Sequence, residues 1–559
     1  MTDATPSLAP NKNRPRDDMR MRIRVAAGAF LLAFLVVIGR LVMFGLTPPA
    51  TGNVLNDPNA GLATSRPDIV DRNGEILATD IKMASLYAEP RNILDPDEAT
   101  ELITSVLPKL DATVVRKKLA SDAGFVWLER EITPEQQKQI HALGIPGIGF
   151  LAESRRFYPG GPTAAHIVGL VNVDNQGIAG FEKYLDDHGL ADLHAAGFAR
   201  DEDVEPVRLS IDLRVQHIMR DELAAAMEKY SAIAATGVVL DVHTGEVLAM
   251  ASLPDYDPNN PYNALEPDRL NRMSAGVYEL GSVFKSFTFA MALASGAVTM
   301  NDRIDAVNPI HVGRFTINDF HAKRRILSVP EVFIYSSNVG AARMALKVGG
   351  TLQQEYLRRF GLMTRLNTDL PEVAKPILPV KWSELTSMTV AFGHGIAVTP
   401  LQTAVADAAL VNGGMLIPPT FQPRTKADAD ALAVRVIKPG TSDLLRYLFR
   451  LNVESGSGRA ADVPGYMVGG KTGTAEKVVN GRYSANKRLN SFLAAFPIDK
   501  PDYVVLVVLD DPQAAKAGGG TTAGSNAAPT VAAIIRRSAA LLGVEPRNDD
   551  LLSAQLVSN

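Results

Sequence analysis

The 559-residue sequence contains no cysteine, which excludes disulfide bonds, thiolate metal sites and a cysteine nucleophile. Its nine histidines are scattered, and none stands at the spacing of an HExxH motif or of paired metal ligands, so we predict no metal. The formal net charge is only -4, and no basic stripe is interleaved with aromatic residues. These absences argue against a nucleic-acid-binding protein.

The overall composition is that of an ordinary globular protein, with 46% hydrophobic and 21% charged residues. A chain of this length is long enough for two to four domains and a large core. Helical and strand patterns alternate irregularly along it, which predicts an α+β fold.

One long apolar run lies near the N-terminus. Residues 1–24 are polar and basic, which predicts a short cytoplasmic tail, and residues 25–46 are apolar apart from Arg40. As a helix this run is about 33 Å long, enough to cross a bilayer once. A cleaved signal peptide is the alternative, but the run exceeds a typical signal core and no A-x-A site follows. The basic flank places the rest of the chain outside the cytoplasm.

The segment after this helix predicts a linker and then a first globular domain. Residues 47–64 are rich in Pro, Gly, Asn and Thr, as linkers are. Residues 65–205 mix helix and strand patterns without a catalytic cluster, so we interpret them as an α+β pedestal. Its predicted elements are a hairpin at Arg66–Ala78, helices at 98–110 and 134–143, and a strand at 165–169 that follows a turn at 155–161.

A second domain is predicted for residues 206–545, followed by a C-terminal tail at 546–559. It opens with a helix that runs to Tyr230. The strongly apolar stretches Thr236–Asp241 and Gly245–Ala251 predict a hairpin of two strands that belong in a central sheet. The domain also holds three motifs that bear on chemistry.

The first motif pairs Ser282 with Lys285. Gly281 interrupts the chain, and the apolar run that follows predicts a largely buried helix opened by Ser282. At positions i and i+3 the lysine amine lies on the same helical face as the hydroxyl, within reach of its proton. Burial would keep the amine neutral, so Lys285 could act as a general base. The alternative is a capping serine followed by a surface lysine.

The second motif is a serine and an asparagine two residues apart. Ser336 and Asn338 lie in a predicted turn between apolar segments. Such a pair is more often an Asx-turn or a helix cap than part of a catalytic site.

The third motif, Lys471-Thr472-Gly473-Thr474, stands in a strand-like run. Its glycines have no side chains, so another backbone can approach the strand closely. An edge of this kind accepts an extended peptide by β-augmentation. The two threonines then offer hydroxyls to a terminal carboxylate, and Lys471 offers positive charge. A surface β-turn is the alternative.

In this order, the SxxK, SxN and KTG motifs resemble those of penicillin-binding proteins and class A β-lactamases. Within these, the chain most resembles the class B penicillin-binding proteins, and among them the division-specific, septal peptidoglycan D,D-transpeptidase of Gram-negative bacteria. Asn338 and the segment Arg66–Asn73 favour that subtype over the elongation-specific one. The further matches are Asp71–Gly74, Arg156–Pro159, Phe392–Gly395, Thr399–Gln402 and Tyr503–Leu509.

The resemblance implies a serine-type transpeptidase domain, like a serine β-lactamase, with a central antiparallel sheet flanked by helices. Ser282 would attack the penultimate D-Ala carbonyl of a D-Ala-D-Ala stem peptide, with Lys285 as the base. Ser336 would relay a proton to the leaving amine, and Asn338 would bind the substrate amide. The carboxylate-binding residues would be Lys471, Thr472, Gly473 and Thr474. The backbone N–H groups of Ser282 and Thr474 would form the oxyanion hole.

The resemblance also implies β-lactams as inhibitors, no cofactor, and location in the bacterial inner membrane at the septum, with the catalytic domain in the periplasm. Expected partners are a polytopic glycosyltransferase and other proteins of the division machinery. The alternatives are an elongation-type transpeptidase, a carboxypeptidase or β-lactamase in which water resolves the acyl-enzyme, and a non-catalytic division scaffold or β-lactam sensor. The anchor and the large pedestal argue against a secreted hydrolase. The single span and short tail argue against a sensor.

Overall fold

The computed structural model describes residues 66–190, 205–479 and 482–547, together with Gly28 and Phe34. Apart from these two residues, the predicted tail, membrane helix and linker lie outside the described part of the chain, as does most of the predicted C-terminal tail. Within the described part, every helix is too short or too polar to span a bilayer.

The chain divides into two compact units. The first contains residues 84–153 of the described chain, and the second contains residues 66–83 and everything from Ser154 onwards. Strands β2 (Ile76–Ala88) and β4 (Ile148–Phe157) each contribute residues to both units. The predicted limits of the pedestal, 65–205, stay a prediction.

The first unit packs helices against a strand pair. Its helices are α1 (Pro96–Val106), α2 (Ala112–Leu119) and α3 (Pro134–Ala142). Each begins at a side chain that accepts backbone N–H groups of its first turn, which stabilises the helix start: Asp95, Asp111 and Thr133. Strand β3 (Val126–Ile132) pairs antiparallel with the end of β2. The predicted helices at 98–110 and 134–143 are confirmed, with shifted ends.

The second unit begins with the predicted hairpin. Strand β1 (Ile69–Val70) pairs antiparallel with the start of β2 and parallel with β7 (Val207–Arg208). The strand predicted at 165–169 is wrong, because Ala165–Val168 form a short helix, α4. All four residues are buried, and a short, largely apolar run fits a buried helical turn as well as a strand. Nearby elements are β5 (Leu170–Val171), β6 (Gly177–Ala179) and α5 (Gly180–Leu185).

A buried ionic cluster holds the early segments of this unit together. Arg66 pairs with Glu182 at 2.8 Å and with Asp186 at 2.7 Å. Arg156 pairs with Glu182 at 2.6 Å and with Asp80 at 3.0 Å. Burial works to lower the pKa of Arg156, but the carboxylates of Glu182 and Asp80 raise it above its ordinary value. We call these five residues the paired cluster.

The centre of the second unit is a five-stranded antiparallel sheet. Its strands, in sheet order, are β16 (Gly469–Val479), β17 (Arg482–Phe496), β18 (Tyr503–Asp510), β8 (Ala234–Asp241) and β9 (Val247–Leu253). Strands β8, β9 and β18 are almost wholly buried on both faces, as their apolar sequences require. This confirms the predicted strands and the predicted central antiparallel sheet.

Helices cover both faces of this sheet. On one face, α6 (Leu213–Tyr230) and α15 (Ala527–Ser538) bury a core that includes Phe492 and Val505. On the other face, apolar helices pack in a larger core around Phe287 and Leu506. Those helices include α7 (Lys285–Ala294), α12 (Pro400–Val411) and α14 (Pro439–Ser455).

The remaining helices and strands of the second unit are short. The helices are α8 (Val329–Ile334), α9 (Asn338–Val348), α10 (Gly350–Arg359), α11 (Glu384–Val390) and α13 (Lys426–Leu432). The strands are β10 (Arg303–Asp305), β11 (Ile310–Val312), β12 (Phe315–Ile317), β13 (Ile326–Ser328), β14 (Met415–Leu416) and β15 (Val434–Arg435).

Candidate active site

Ser282 lies in a single 3-10 turn, Gly281–Phe284, that leads directly into α7. Gly281 adopts φ +56°, and a Cβ there would approach the Thr474 carbonyl oxygen to 2.8 Å. A glycine is therefore required for both the backbone conformation and the close packing of the turn against β16. The prediction that Ser282 opens a helix is confirmed, with the α-helix itself starting at Lys285.

The Lys285 side chain is fully buried beneath the serine. Its Nζ lies 3.0 Å from Ser282 Oγ, 3.1 Å from Ser336 Oγ and 2.7 Å from Asn338 Oδ1, and it also contacts the Ser336 carbonyl oxygen. All four of these partners are neutral. The structure thus brings the SxxK and SxN motifs together around one amine.

This environment favours the neutral form of the amine. Burial, and then the positive charge of Lys471, lower the pKa of Lys285 well below its ordinary value, while Asp319 opposes them. A neutral amine has two N–H donors and one lone pair. Because the Ser336 carbonyl and Asn338 Oδ1 can only accept, they take the two donors, and the lone pair is left to accept the Ser282 hydroxyl proton.

The SxN turn is held by a residue from another loop. Ser336 sits at φ +54°, an uncommon conformation for a non-glycine residue. The next residue, Ser337, caps α9 and donates its hydroxyl to Asp319 Oδ2 at 2.7 Å. Asp319 Oδ1 accepts the Val339 N–H at 2.9 Å. Asp319 therefore fixes the turn that presents Ser336 and Asn338 to Lys285.

Strand β16 carries the third motif at the end of the described sheet. The Lys471 Nζ lies 3.0 Å from Ser336 Oγ, so this hydroxyl bridges the two lysine amines. Burial lowers the pKa of Lys471 to about 7. A Cβ at Gly473 would meet the Leu280 carbonyl oxygen at 2.3 Å. The missing side chain thus lets β16 pack against the segment that carries Ser282.

The two threonines of the motif are oriented by neighbouring loops. Thr472 Oγ1 lies 2.6 Å from Ser457 Oγ, and Thr474 Oγ1 accepts the Ala523 N–H at 3.1 Å. The Thr474 hydroxyl proton is therefore free to be donated elsewhere. All eight predicted site residues lie in one unit, and their side chains or backbones meet along β16 and the start of α7.

Sequence reasoning missed Asp319 and Ser457, because neither stands in a motif. Asp319 lies 18 residues before the Ser337 that it contacts, and Ser457 lies 15 residues before Thr472. No local signal marks these residues, since the fold alone brings them to the site. In the described part of the chain, no group of three His, Cys, Asp or Glu side chains is placed to hold a metal ion.

Two family models match the chain. The penicillin binding protein transpeptidase domain matches residues 235–536, which contain all three motifs. The penicillin-binding protein dimerisation domain matches residues 62–189. The chain belongs to the penicillin-binding protein transpeptidase family. The predicted α+β fold, with a pedestal-type domain followed by a transpeptidase domain, is confirmed to this extent.

Curated penicillin-binding relatives match over most of their length. The probable peptidoglycan D,D-transpeptidase FtsI of Caulobacter vibrioides is 40% identical over 509 residues, 89% of this chain and 84% of the relative. The probable peptidoglycan D,D-transpeptidase PenA of Neisseria gonorrhoeae is 31% identical over 535 residues, which cover 90% of this chain and 91% of the relative. The peptidoglycan D,D-transpeptidase FtsI of Escherichia coli K12 is 31% identical over 517 residues, which cover 88% of this chain and 87% of the relative. These matches confirm the resemblance to septal class B penicillin-binding proteins.

Proposed function

We propose that this protein is a serine D,D-transpeptidase that crosslinks D-Ala-D-Ala stem peptides of peptidoglycan at the division septum. The observation that carries the proposal is the buried Lys285 amine 3.0 Å from the Ser282 hydroxyl, surrounded by neutral partners. The names of the relatives support the substrate and reaction.

The first half of the reaction uses the lysine as a base. The lone pair of Lys285 accepts the Ser282 proton while Oγ attacks the carbonyl carbon of the penultimate D-Ala. The Ser336 hydroxyl, which contacts both amines, donates its proton to the nitrogen of the departing terminal D-Ala and takes a proton from the Lys285 ammonium, which becomes neutral again. The C–N bond breaks, and an ester between the peptide and Ser282 remains.

Binding of the donor peptide depends on β16. The peptide adds to the open edge of this strand, and its terminal carboxylate accepts hydrogen bonds from Thr472 and Thr474. A protonated Lys471 supplies the positive charge behind them. The backbone N–H groups of Ser282 and Thr474 stabilise the oxyanion, and loss of one such donor costs roughly 10²-fold or more in rate.

In the second half, the amine of a neighbouring stem peptide attacks the ester and forms the crosslink. No cofactor takes part. β-Lactams mimic the donor peptide and leave Ser282 acylated.

The other predictions complete the proposal. Residues 1–24 form a cytoplasmic tail, 25–46 a single membrane helix and 47–64 a linker. The pedestal at 65–205 and the transpeptidase domain at 206–545 then lie in the periplasm. A polytopic glycosyltransferase and other division proteins are the proposed partners, because crosslinking requires newly made glycan strands at the same membrane surface.

Labelling with fluorescent penicillin, followed by mapping of the modified peptide, tests this function. We expect label on Ser282 and its loss in Ser282→Ala. The matched control is Ser286→Ala, which removes a buried hydroxyl on the next turn of the same helix and should retain the label. Labelling of another serine, or persistent labelling of Ser282→Ala, would contradict the assignment.

A further inference from the structure

One carboxylate of the segment that carries the nucleophile takes no part in the steps above. Glu279 is three residues before Ser282 and is partly buried. Its Oε1 accepts the Gly395 N–H at 2.9 Å, and the Tyr483 hydroxyl lies 3.1 Å from both carboxylate oxygens. Two separate segments, those of Gly395 and Tyr483, therefore hold this side chain in one orientation.

These segments also border the catalytic centre. A Cβ at Gly393 would meet the Gly281 carbonyl oxygen at 2.2 Å, so the turn that binds Glu279 packs directly on the turn that carries Ser282. The His394 ring stacks on Tyr483 with centroids 5.3 Å apart. Burial, and then the charge of Lys285, lower the pKa of His394, which places this imidazole within electrostatic reach of the lysine.

The second half of the reaction needs a group of this kind. The acceptor amine is an ammonium ion near neutral pH, and it must lose a proton before it can attack. It approaches a centre that already contains the two lysine amines Lys285 and Lys471, and any positive charge on them repels it. A carboxylate at the entrance would both attract the ammonium and accept its proton.

The hydrogen bonds of Asp319 and Glu279 differ in what they hold. Both oxygens of Asp319 accept hydrogen bonds that hold the SxN turn. Glu279 also has two donors, but one of them is the hydroxyl of Tyr483, a half-exposed side chain, so an ammonium ion can take its place at Oε2 without disturbing the SxN turn. Burial also raises the pKa of Glu279, which brings it closer to the working range of a general base.

We propose that Glu279 binds the acceptor ammonium and acts as its general base in the transfer step. The first ammonium proton passes to the carboxylate, and the amine nitrogen then attacks the ester carbon. The new C–N bond forms as the bond between that carbon and Ser282 Oγ breaks. The second proton of the amine passes through Lys285 to Ser282 Oγ, and Glu279 returns its proton to water. This inference rests on the proposed transpeptidase function and assigns the acceptor side of the same site.

The test compares two acceptors in full-length Glu279→Gln. An N-acyl-D-alanyl thioester acylates Ser282, and the acyl group is then transferred either to D-alanine, a charged amine, or to hydroxylamine, which is largely uncharged at neutral pH. We expect the ratio of D-alanine transfer to hydroxylamine transfer to fall roughly 100-fold, since only the charged acceptor needs the base. Glu101→Gln, at an exposed glutamate of α1, is the matched control and should keep the wild-type ratio.

The outcomes separate this inference from the proposed function. A wild-type ratio in Glu279→Gln would overturn the role of Glu279, and so would an equal fall of both transfers, because that result indicates a structural role only. If wild-type protein is not acylated at Ser282, the transpeptidase function itself fails. Should Glu279→Gln unfold, Glu279→Asp keeps a carboxylate and should lie between the wild-type ratio and the 100-fold loss. A ratio insensitive to this shortening would count against direct proton transfer.

Discussion

Two sets of buried basic side chains in the second unit have opposite surroundings. In the paired cluster, carboxylates lie within 3 Å of both Arg66 and Arg156 and compensate their charges. At the active site, Lys285 and Lys471 are equally buried, but their hydrogen-bond partners are hydroxyl, carbonyl and amide oxygens. Their pKa values are lowered instead.

This difference separates a structural use of burial from a chemical one. A buried ion pair loses a great deal of free energy when one partner is removed, because the other charge is left without compensation. A buried amine with neutral partners gives up its proton easily and becomes a base. Substitutions in the two places should therefore move stability and activity independently.

The largest expected effect is on activity, in Lys285→Met. Without the amine, no group accepts the Ser282 proton, so the acylation rate constant for penicillin should fall by about 10³-fold or more. A stopped-flow or gel-based measurement with fluorescent penicillin gives this constant. An acylation rate within tenfold of wild type would show that another group serves as the base.

The free energy of unfolding of the same variant, Lys285→Met, should increase. The folded-state pKa of Lys285 is lowered, so between that pKa and the unfolded value near 10.4 the unfolded chain binds more protons. The free energy of unfolding of the wild type therefore rises with pH through this window, and at neutral pH the buried lysine lowers it. Lys285→Met removes this destabilisation, so the variant should unfold at a higher denaturant concentration, and its free energy of unfolding should depend less on pH.

The next effect is on stability, in Glu182→Gln. This change leaves Arg66 and Arg156 without the carboxylate they share, so the free energy of unfolding should fall by about 3 kcal/mol. Urea denaturation of the full-length protein measures the change. The acylation rate constant of the folded variant should stay at the wild-type value, because the cluster contributes no atom to the site.

A matched control for this variant is Lys426→Gln, which breaks an ion pair with Asp430 that is exposed on both sides. Solvent screens such pairs, so no measurable change is expected. If Glu182→Gln and Lys426→Gln change the free energy of unfolding equally, burial does not make this protein's stability more dependent on an ion pair.

The contacts of the active-site lysines could be predicted from the sequence better than those of the paired cluster. The i, i+3 spacing of Ser282 and Lys285 predicted the catalytic pair, because one helical turn determines that contact. The link from Lys471 to Ser336 spans 135 residues, and it was expected only through the resemblance to a known family. Arg66 and Arg156 were noted as family matches, but their shared partner Glu182 lies 116 and 26 residues away. No periodicity or spacing marks such pairs.

The smallest expected effect concerns the pH dependence of acylation, which distinguishes the two lysines of the active site from each other. In the proposed mechanism, acylation requires a neutral Lys285 and, for a carboxylate-bearing β-lactam, a protonated Lys471. The rate constant should rise as pH passes the lowered pKa of Lys285 and fall as it passes about 7, where Lys471 loses its proton. Because both amines contact Ser336, they titrate as a coupled pair. The two pKa values read from the rising and falling limbs therefore describe the pair and not one lysine each.

The methyl ester of the same penicillin separates these contributions. It has no carboxylate for Lys471 to hold, so its acylation should be slower but should keep only the rising limb. The ratio of acid to ester rate constants should therefore fall by about tenfold per pH unit above the pKa of Lys471, because one proton is lost. A constant ratio across this range would place the carboxylate on the threonine hydroxyls alone. The positive charge of Lys471 would then serve only to lower the pKa of Lys285, whereas in the paired cluster carboxylates compensate the charges of Arg66 and Arg156.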